Sequence, residues 1–322
     1  MLSRRDAVLA GLLAGTGAAS FAQSAYPQKP VRIIVPYTAG GATDIYARIV
    51  AKNMGEIFGQ PFVVDNRPGG DTMIGAALAS QAPADGHTLL FTVAATVATN
   101  QFLYKKVAYK PEDFAPISLV GTSRYTLTIN ADIQPKTIQE FVKYVKDSPG
   151  KVGMATLGKG SGGYMVGKTF EKVFGLDMID VQYKGSSEAN AALLAGTVQM
   201  YPDGISGVLP LHKAGKVRII AVTSKTRSPE LPNVPTMVEL GYPDFVVGNW
   251  FALFAPARTP PEIVQQLNAA TVKIVAGDEF RSKLLSNGIV PESSTPAELA
   301  ALIRETTEHS RKTLDSLNFE AK

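Results

Sequence analysis

Short apolar runs alternate with helical patterns along most of the chain. The first run, VRIIVPY at residues 31–37, is rich in β-branched residues, and the segment 43–58 then carries apolar residues at helical spacing. Two further runs, at 62–64 and 89–93, flank a segment of small residues that predicts a helix over 72–82. Strands that alternate with helices are typical of the α/β class, so these segments predict a βαβαβ block.

The middle of the chain continues this alternation. Thr137 and Glu140 have the spacing of a capping box and predict a helix start. Strands are predicted at 126–130, 151–156, 181–183, 198–201 and 217–222, with a helix over 164–174. These strands can form a second sheet.

The last third of the chain opens with a connector rich in proline, RSPELPNVP at 227–235. Beyond a further strand, helices are predicted to begin at Pro261, Asp278 and Thr295. Thr295 and Glu298 again have capping-box spacing. We expect these three consecutive helices to pack on the first sheet.

Composition narrows the class of protein. The chain has 322 residues, of which 45% are hydrophobic and 19% charged, enough for one large or two ordinary globular domains. It has no Cys, which excludes a disulfide framework and thiolate metal or redox sites. The formal charge is +4, and the 32 basic residues form no run that favours a nucleic-acid partner.

The N-terminus has the pattern of a signal peptide over residues 1–22. A basic start with Arg4 and Arg5 precedes an apolar stretch and a small-residue site that ends at Ala22. The pattern predicts cleavage after Ala22 and a mature chain outside the cytoplasm. The paired arginines fit a twin-arginine signal, but an ordinary secretion signal has the same basic start, so both export routes stay open.

The first predicted strand and helix are joined by a loop of small residues, YTAGGATD at 37–44. Gly40 and Gly41 allow a close approach of the backbone, and the helix start presents unpaired N–H groups that attract an anion. A carboxylate could bind there without an arginine. In the alternative interpretation the loop is only a tight turn in which Thr43 or Asp44 caps the helix.

A second glycine-rich loop, GKGSGG at 158–163, also joins a strand to a helix. It meets the dinucleotide pattern GxGxxG, but that pattern needs an acid at the end of the next strand, where this chain has YK at 183–184. The phosphate-loop pattern GxxxxGK is also met in part, yet Gly160 stands where Ser or Thr must bind magnesium. An anion site of backbone N–H groups is the preferred interpretation, and an α/β enzyme or nucleotide-binding module stays open as the alternative.

Catalytic and metal chemistry find little support in the sequence. Ser161 lacks the GxSxG elbow of a nucleophile. His87, His212 and His309 are far apart in the chain, and no HExxH motif is present. We therefore expect no catalytic residues, no metal site and no cofactor.

Three further side chains have two interpretations each. Asp203 either accepts a hydrogen bond from a ligand or makes an Asx-type turn. Arg124 either clamps a carboxylate or lies exposed at a domain edge. Trp250 either faces a ligand or belongs to the core.

Several segments, taken together in their order and spacing, resemble a known family. They are VRIIVPY with GGATD at 31–44, DNRPG at 65–69, IGA at 74–76, YKG at 183–185, AVTS at 221–224 and PNVPT at 232–236. Over residues 26–314 the chain resembles the substrate-binding proteins of tripartite tricarboxylate transporters, the TctC-like or Bug receptors. One departure stands out: similar receptors usually continue NRPG with a further small, glycine-rich pair, whereas this chain has GDTM at 70–73.

The resemblance implies a type II periplasmic binding protein fold, with two α/β lobes around a ligand cleft. It implies a non-enzymatic receptor for a small di-, tri- or aromatic carboxylic acid, with a membrane permease as partner, and we expect a monomer. The first lobe is expected at 23–121 and 227–322, and the second at 122–226. The expected ligand-binding residues are Tyr37, Ala39, Gly40, Gly41, Thr43, Asp44, Ala94, Thr96, Gly158, Gly160, Ser161, Gly162, Tyr164, Lys184 and Asp203.

Overall fold

A computed structural model describes residues 26–158, 161–183, 185–316 and 319–321. The predicted signal peptide and two predicted ligand-binding residues, Gly160 and Lys184, lie outside these residues. Within the described part of the chain, no helix combines the length and apolar character that crossing a membrane requires.

The described residues contain strands and helices in alternation, as the hydrophobic pattern predicts. The strands are β1 (Val31–Val35), β2 (Phe62–Asn66), β3 (Thr88–Val93), β4 (Phe114–Asn130), β5 (Gly153–Thr156), β6 (Ile179–Gln182), β7 (Met200–Gly204), β8 (Val217–Val222), β9 (Gly248–Pro256) and β10 (Ile289–Pro291). The helices are α1 (Ala42–Phe58), α2 (Met73–Ser80), α3 (Asn100–Leu103), α4 (Ile138–Lys146), α5 (Gly162–Phe174), α6 (Ser186–Leu194), α7 (Ile205–Lys213), α8 (Pro261–Ala276), α9 (Asp278–Leu285) and α10 (Pro296–Ser316). A π-helical turn, Ala95–Thr99, and a 3-10 turn, Pro111–Asp113, complete the set.

The strands follow the order β2-β1-β3-β9-β4-β7-β5-β6. In the first lobe β1 is parallel to β2 and β3, while β9 is antiparallel to β3 and β4. In the second lobe β5 is parallel to β6 and β7, and β4 pairs antiparallel with β7 and β8. The architecture is the predicted α/β class, with a sheet in each lobe.

The 17-residue strand β4 belongs to both lobes. Up to Arg124, which lies opposite Gly248, β4 pairs with β9. From Tyr125, which lies opposite Gly204, β4 pairs with β7. One strand therefore carries the chain from one lobe to the other at Arg124 and Tyr125, and the sequence analysis predicted only its last third.

Apolar side chains cover both faces of the first sheet. Ile33 on β1 is buried against α1, α8 and α9, and Ile34 is buried on the opposite face against α2 and α10. The prediction that the three C-terminal helices pack on the first sheet is confirmed. The capping box at Thr295 is confirmed, since Glu298 N donates to Thr295 Oγ1 at 3.2 Å and Thr295 N donates to Glu298 Oε2 at 2.8 Å. Thr137 caps its helix as predicted, accepting from Glu140 N at 3.2 Å, but the Glu140 carboxylate accepts from Lys136 N instead of Thr137 N.

The second sheet is covered partly by residues that the sequence analysis expected in the first lobe. Leu231 and Val234 are buried in one of its apolar clusters, and Met237 and Phe245 in the other. The expected lobe boundary at residue 227 stays a prediction, and on this packing we propose that the chain returns to the first lobe near Val247 instead.

Candidate functional site

The strand-to-helix connections of both lobes begin at the carboxyl ends of parallel strands. In α/β sheets this edge is where ligands bind, because helix N-termini and loop N–H groups converge there. Helices α1, α6 and α7 begin behind Gly41, Gly185 and Gly204, and a glycine at this position has no side chain that could cap the helix. Helix starts of this kind present backbone N–H donors that a ligand can use.

The Asp44 carboxylate holds the first loop in place by hydrogen bonds. Its carboxylate accepts hydrogen bonds from Gly40 N at 2.9 Å, Arg48 Nε at 3.0 Å and Asn66 Nδ2 at 2.9 Å. Burial alone would raise the pKa of Asp44, but these hydrogen bonds and the Arg48 charge lower it below its usual value. Asp44 therefore positions the loop, and its oxygens are already occupied.

Gly40 is the loop position at which the backbone needs a glycine. Its φ is +85°, a conformation that L side chains rarely adopt, and a Cβ there would meet no atom within 4 Å. The loop is thus open to solvent at Gly40. Asn66 Nδ2 also donates to Tyr37 O at 3.0 Å, which fixes the start of the same loop.

A chain of hydroxyl groups lies at the carboxyl end of β3. Thr92 Oγ1 lies 2.6 Å from Thr96 Oγ1, which donates to Thr72 Oγ1 at 2.9 Å. Asn100 Nδ2 donates to Thr72 Oγ1 at 3.2 Å, and Tyr109 OH donates to Thr96 O at 2.6 Å. All five side chains are buried, so this wall of the site is polar and uncharged.

Tyr37 extends this wall toward the second lobe. A hydrogen bond joins its hydroxyl to the Thr96 side chain, and burial raises the pKa of Tyr37. Burial is the main cause that raises the pKa of Tyr125, and the nearby Asp203 and Tyr37 raise it further. Tyr125 therefore lies between the first loop and the second lobe, on the strand β4 that both lobes share.

The second loop is fixed to Tyr125 and to β7. A Cβ at Gly162 would overlap the Tyr125 hydroxyl, and one at Gly163 would overlap Pro202 O. Ser161 caps α5, because its Oγ accepts from Tyr164 N at 3.2 Å and donates to Gly158 O at 2.8 Å. Close helix packing thus explains Gly162 and Gly163, whereas Gly158 is required by its φ of +100°.

Asp203, the last residue but one of β7, lies beside two hydroxyl groups. Burial raises the pKa of its carboxyl to about 6, against hydrogen bonds from Gly204 N, Tyr201 and Ser186 that lower it. Tyr201 OH and Ser186 Oγ lie 3.2 Å apart. The second lobe therefore offers a half-buried carboxyl group and two hydroxyls.

The predicted site residues divide into several groups. Tyr37, Thr96 and Asp203 belong to the polar groups around Tyr125, while Ala39 to Gly41 form the exposed first loop. Thr43 and Ala94 are buried beside it. Tyr164 instead packs in an apolar cluster with Leu103, Met165 and Leu314, under Lys168. As ligand contacts, all of these residues remain predictions.

Sequence reasoning missed several polar residues of the site, namely Thr72, Asn100, Tyr109, Tyr125 and Tyr201. Their position just after predicted strands was the signal that could have found some of them. Of the residues with two interpretations, Trp250 is buried and donates from Nε1 to Thr306 Oγ1 at 3.1 Å, as a core residue does. Arg124 is half-buried near Glu230 and Glu292, and burial lowers its pKa.

The histidines contribute no metal centre. His212 Nδ1 accepts from Ile219 N at 3.3 Å within the second lobe. The described residues contain no cluster of three or more His, Cys, Asp or Glu side chains that could hold a metal ion.

The family model for the receptors of tripartite tricarboxylate transporters matches residues 46–319. The chain belongs to this family. This match confirms the family that the sequence motifs suggested. Members of the family are periplasmic solute receptors. A relative from Pseudomonas sp. strain P51, encoded in the tcbD-tcbE intergenic region, is 37% identical over 313 residues, which cover 96% of this chain and 93% of the relative.

Solved receptors share the fold. Rpa4515 of R. palustris, solved with adipate, is 30% identical with a TM-score of 0.85, and the match covers 92% of this chain and 100% of that one. MatC of Rhodopseudomonas palustris, solved with bound malate, is 31% identical with a TM-score of 0.80, and the match covers 90% and 100%. The predicted fold, a periplasmic binding protein with two lobes, is confirmed.

Proposed function

We propose that this chain is a periplasmic receptor that binds a small carboxylate between its lobes and delivers it to a tripartite tricarboxylate permease. The observation that carries the proposal is the set of uncapped helix starts at Gly41, Gly185 and Gly204. They follow β1, β6 and β7, so they lie at strand ends of both lobes. Adipate and malate in the related receptors support the same class of ligand.

Neutral donors are sufficient to hold such an anion. A hydrogen bond to a charged group contributes about 1.5 to 3 kcal/mol, and each helix N-terminus adds about 0.3 to 1 kcal/mol for a nearby negative charge. The N–H groups at the start of α1 and the Tyr37 hydroxyl would receive the carboxylate on the first lobe. Several such bonds offset the loss of water from the anion without a buried Lys or Arg.

Closure of the lobes would complete the site. Tyr125 lies on the strand that both lobes share, next to Tyr37 from one side and to Gly162 and Asp203 from the other. A ligand that contacts both sides stabilises the closed arrangement by the contacts that only this arrangement offers. The permease would then recognise closure, and no bond of the ligand would be broken.

Secretion completes the proposal. The chain would leave the cytoplasm by a signal peptide over residues 1–22 and act as a monomer without a cofactor. N-terminal sequencing of exported protein tests the cleavage after Ala22. Size-exclusion chromatography with light scattering tests the monomer.

The decisive test is a thermal-shift screen with mono-, di- and tricarboxylates and aromatic acids, followed by calorimetry. A ligand at 100 times its dissociation constant adds about 2.7 kcal/mol to the free energy of unfolding, so a true ligand raises the melting temperature by several degrees. Recovery of the bound acid unchanged supports a receptor, and a product in the supernatant would indicate an enzyme. Failure of every acid to bind would refute the proposal.

A further inference from the structure

The turn that joins β2 to α2 has an unusual backbone. Four successive residues have positive φ, with +124° at Gly69, +53° at Gly70, +48° at Asp71 and +78° at Thr72. Glycine adopts this conformation freely, but Asp and especially β-branched Thr do so at a cost. Such strain persists where the surroundings fix it, and it is concentrated at functional sites.

The surroundings fix this turn by hydrogen bonds to both strained residues. Asn100 Nδ2 donates to Asp71 O at 2.8 Å and to Thr72 Oγ1 at 3.2 Å. Thr72 thereby joins the hydroxyl chain of the first lobe through Thr96. The Tyr104 hydroxyl donates to the Asp71 carboxylate from the other side. The turn is therefore held in one conformation, with the Asp71 side chain in a defined place.

That place is the rim of the site, at the border between the lobes. Tyr104 packs in the same apolar cluster as Tyr164 and Met165 of the second lobe. The negative charge of Asp71 is also close enough to Tyr37 to contribute to its raised pKa. Among the described residues, no Lys, Arg or His lies within ion-pair distance of the Asp71 carboxylate. Asp71 thus holds, at the exposed rim of the site, a negative charge that no described cation pairs with.

We propose that Asp71 selects ligands by charge, favouring carboxylic acids whose far end is neutral or cationic over dicarboxylates. This inference rests on the proposed function, since it concerns the far end of an acid bound by its first carboxylate. A second carboxylate in the cleft would be repelled by Asp71, and because Asp71 is exposed the repulsion should weaken as the salt concentration rises. A hydroxyl, amide or ammonium group could instead donate to it. The preferred class is hydroxy acids, amino acids and aromatic monoacids.

The test compares matched acids by calorimetry at low ionic strength. The acids are C4 to C6 dicarboxylates, the ω-hydroxy and ω-amino acids of the same length, and the series terephthalate, 4-hydroxybenzoate and benzoate. Asp71→Asn is the variant, because Asn tolerates a positive φ and can still accept from Tyr104. Glu56→Gln, an exposed charge change at the far end of α1, is the control. Circular dichroism verifies that each variant is folded.

We expect the wild type to bind the acid with the neutral or cationic far end more tightly than the dicarboxylate of the same length. Asp71→Asn should shift the ratio of the two dissociation constants about tenfold toward the dicarboxylate, and Glu56→Gln should leave it unchanged. In the wild type, 0.5 M salt should narrow the same ratio, a readout that needs no variant. An unchanged ratio in Asp71→Asn, while acids still bind, would overturn the charge selection alone. Absence of binding by any acid to any of the proteins would overturn the proposed function as well.

Discussion

Two carboxylates near the site, Asp44 in the first turn of α1 and Asp203 near the end of β7, have different hydrogen-bond partners. Asp44 accepts three hydrogen bonds, one of them from the Arg48 guanidinium, and burial and bonding together leave its pKa lowered. Asp203 is surrounded by neutral donors, and burial leaves its pKa raised to about 6. The first residue is therefore stabilised as an anion and the second as a neutral acid, which gives opposite pH dependence.

Replacement of Asp44 by Asn should destabilise the protein and loosen the first loop. Asn cannot accept all three donors, and an unsatisfied buried donor costs about 1 to 3 kcal/mol. Because the folded-state pKa is lowered, this contribution is present above about pH 4 and is lost in stronger acid. Urea unfolding at pH 3 and pH 7 measures the free energy. Equal stability of Asp44→Asn and wild type at pH 7 would contradict the assignment.

Replacement of Asp203 by Asn should act in the opposite direction. The folded-state pKa lies above the unfolded value of 3.8, so the wild type loses stability as pH rises from about 4 to 6. The loss is on the order of 1 to 3 kcal/mol, and Asp203→Asn should not show it. Urea unfolding at pH 4, 5, 6 and 7 gives the difference between the two proteins. Asp244→Asn, an exposed change, controls for net charge, and parallel curves for wild type and Asp203→Asn would refute the expectation.

At the scale of elements, helix α5 packs closely against strand β4, which both lobes share. The absence of a Cβ at Gly162 leaves room for the Tyr125 hydroxyl, and Gly167 similarly lies against Met154. These glycines allow the helix to approach the sheet closely, which places the start of α5 beside the site. Close packing accounts for these glycines, and the ligand contact expected at Gly162 stays a prediction.

Gly162→Ala should therefore destabilise the protein by about 1 to 3 kcal/mol, the usual cost of overpacking. Tyr125→Phe should recover part of that loss in the double variant, because it removes the atom that the new methyl group meets. Thermal and urea unfolding of the four proteins gives the coupling energy. Gly185→Ala is the matched control, since its Cβ would meet no atom within 4 Å. Additive effects of the two changes would rule out this contact.

The sequence predicted elements better than it predicted the site. Alternating apolar runs located α1, β8 and the C-terminal helices, because burial on a sheet imposes that pattern. Strand β4 was largely missed, because its pairing changes from one sheet to the other at Arg124 and Tyr125 and no turn residues mark the change. Of the hydroxyl chain only Thr96 was among the predicted site residues, because its partners Thr72 and Tyr109 come together with it only in the folded chain.

At the scale of the whole molecule, the lobes meet at an apolar cluster beside the site as well as at β4. Leu103 and Leu314 of the first lobe pack against Tyr164 and Met165 of α5. Lys172 Nζ donates to Ser316 O at 2.6 Å next to this cluster. We propose that these contacts form when the lobes close and therefore contribute to the free energy of closure.

Leu314→Ala should therefore weaken ligand binding, although Leu314 is predicted to contact no ligand. Truncation of a buried Leu costs about 2 to 5 kcal/mol, and even 1 kcal/mol of it lost from the closed state weakens apparent affinity about fivefold. Leu284→Ala is the matched control, because Leu284 is equally buried but lies within the first lobe, and it should lower stability without changing affinity. Calorimetry with the acid identified by the screen gives the affinities, and small-angle scattering should show a larger radius of gyration for ligand-bound Leu314→Ala. If Leu314→Ala and Leu284→Ala bind the acid with equal affinity, the apolar cluster stabilises the fold alone and makes no contribution to closure.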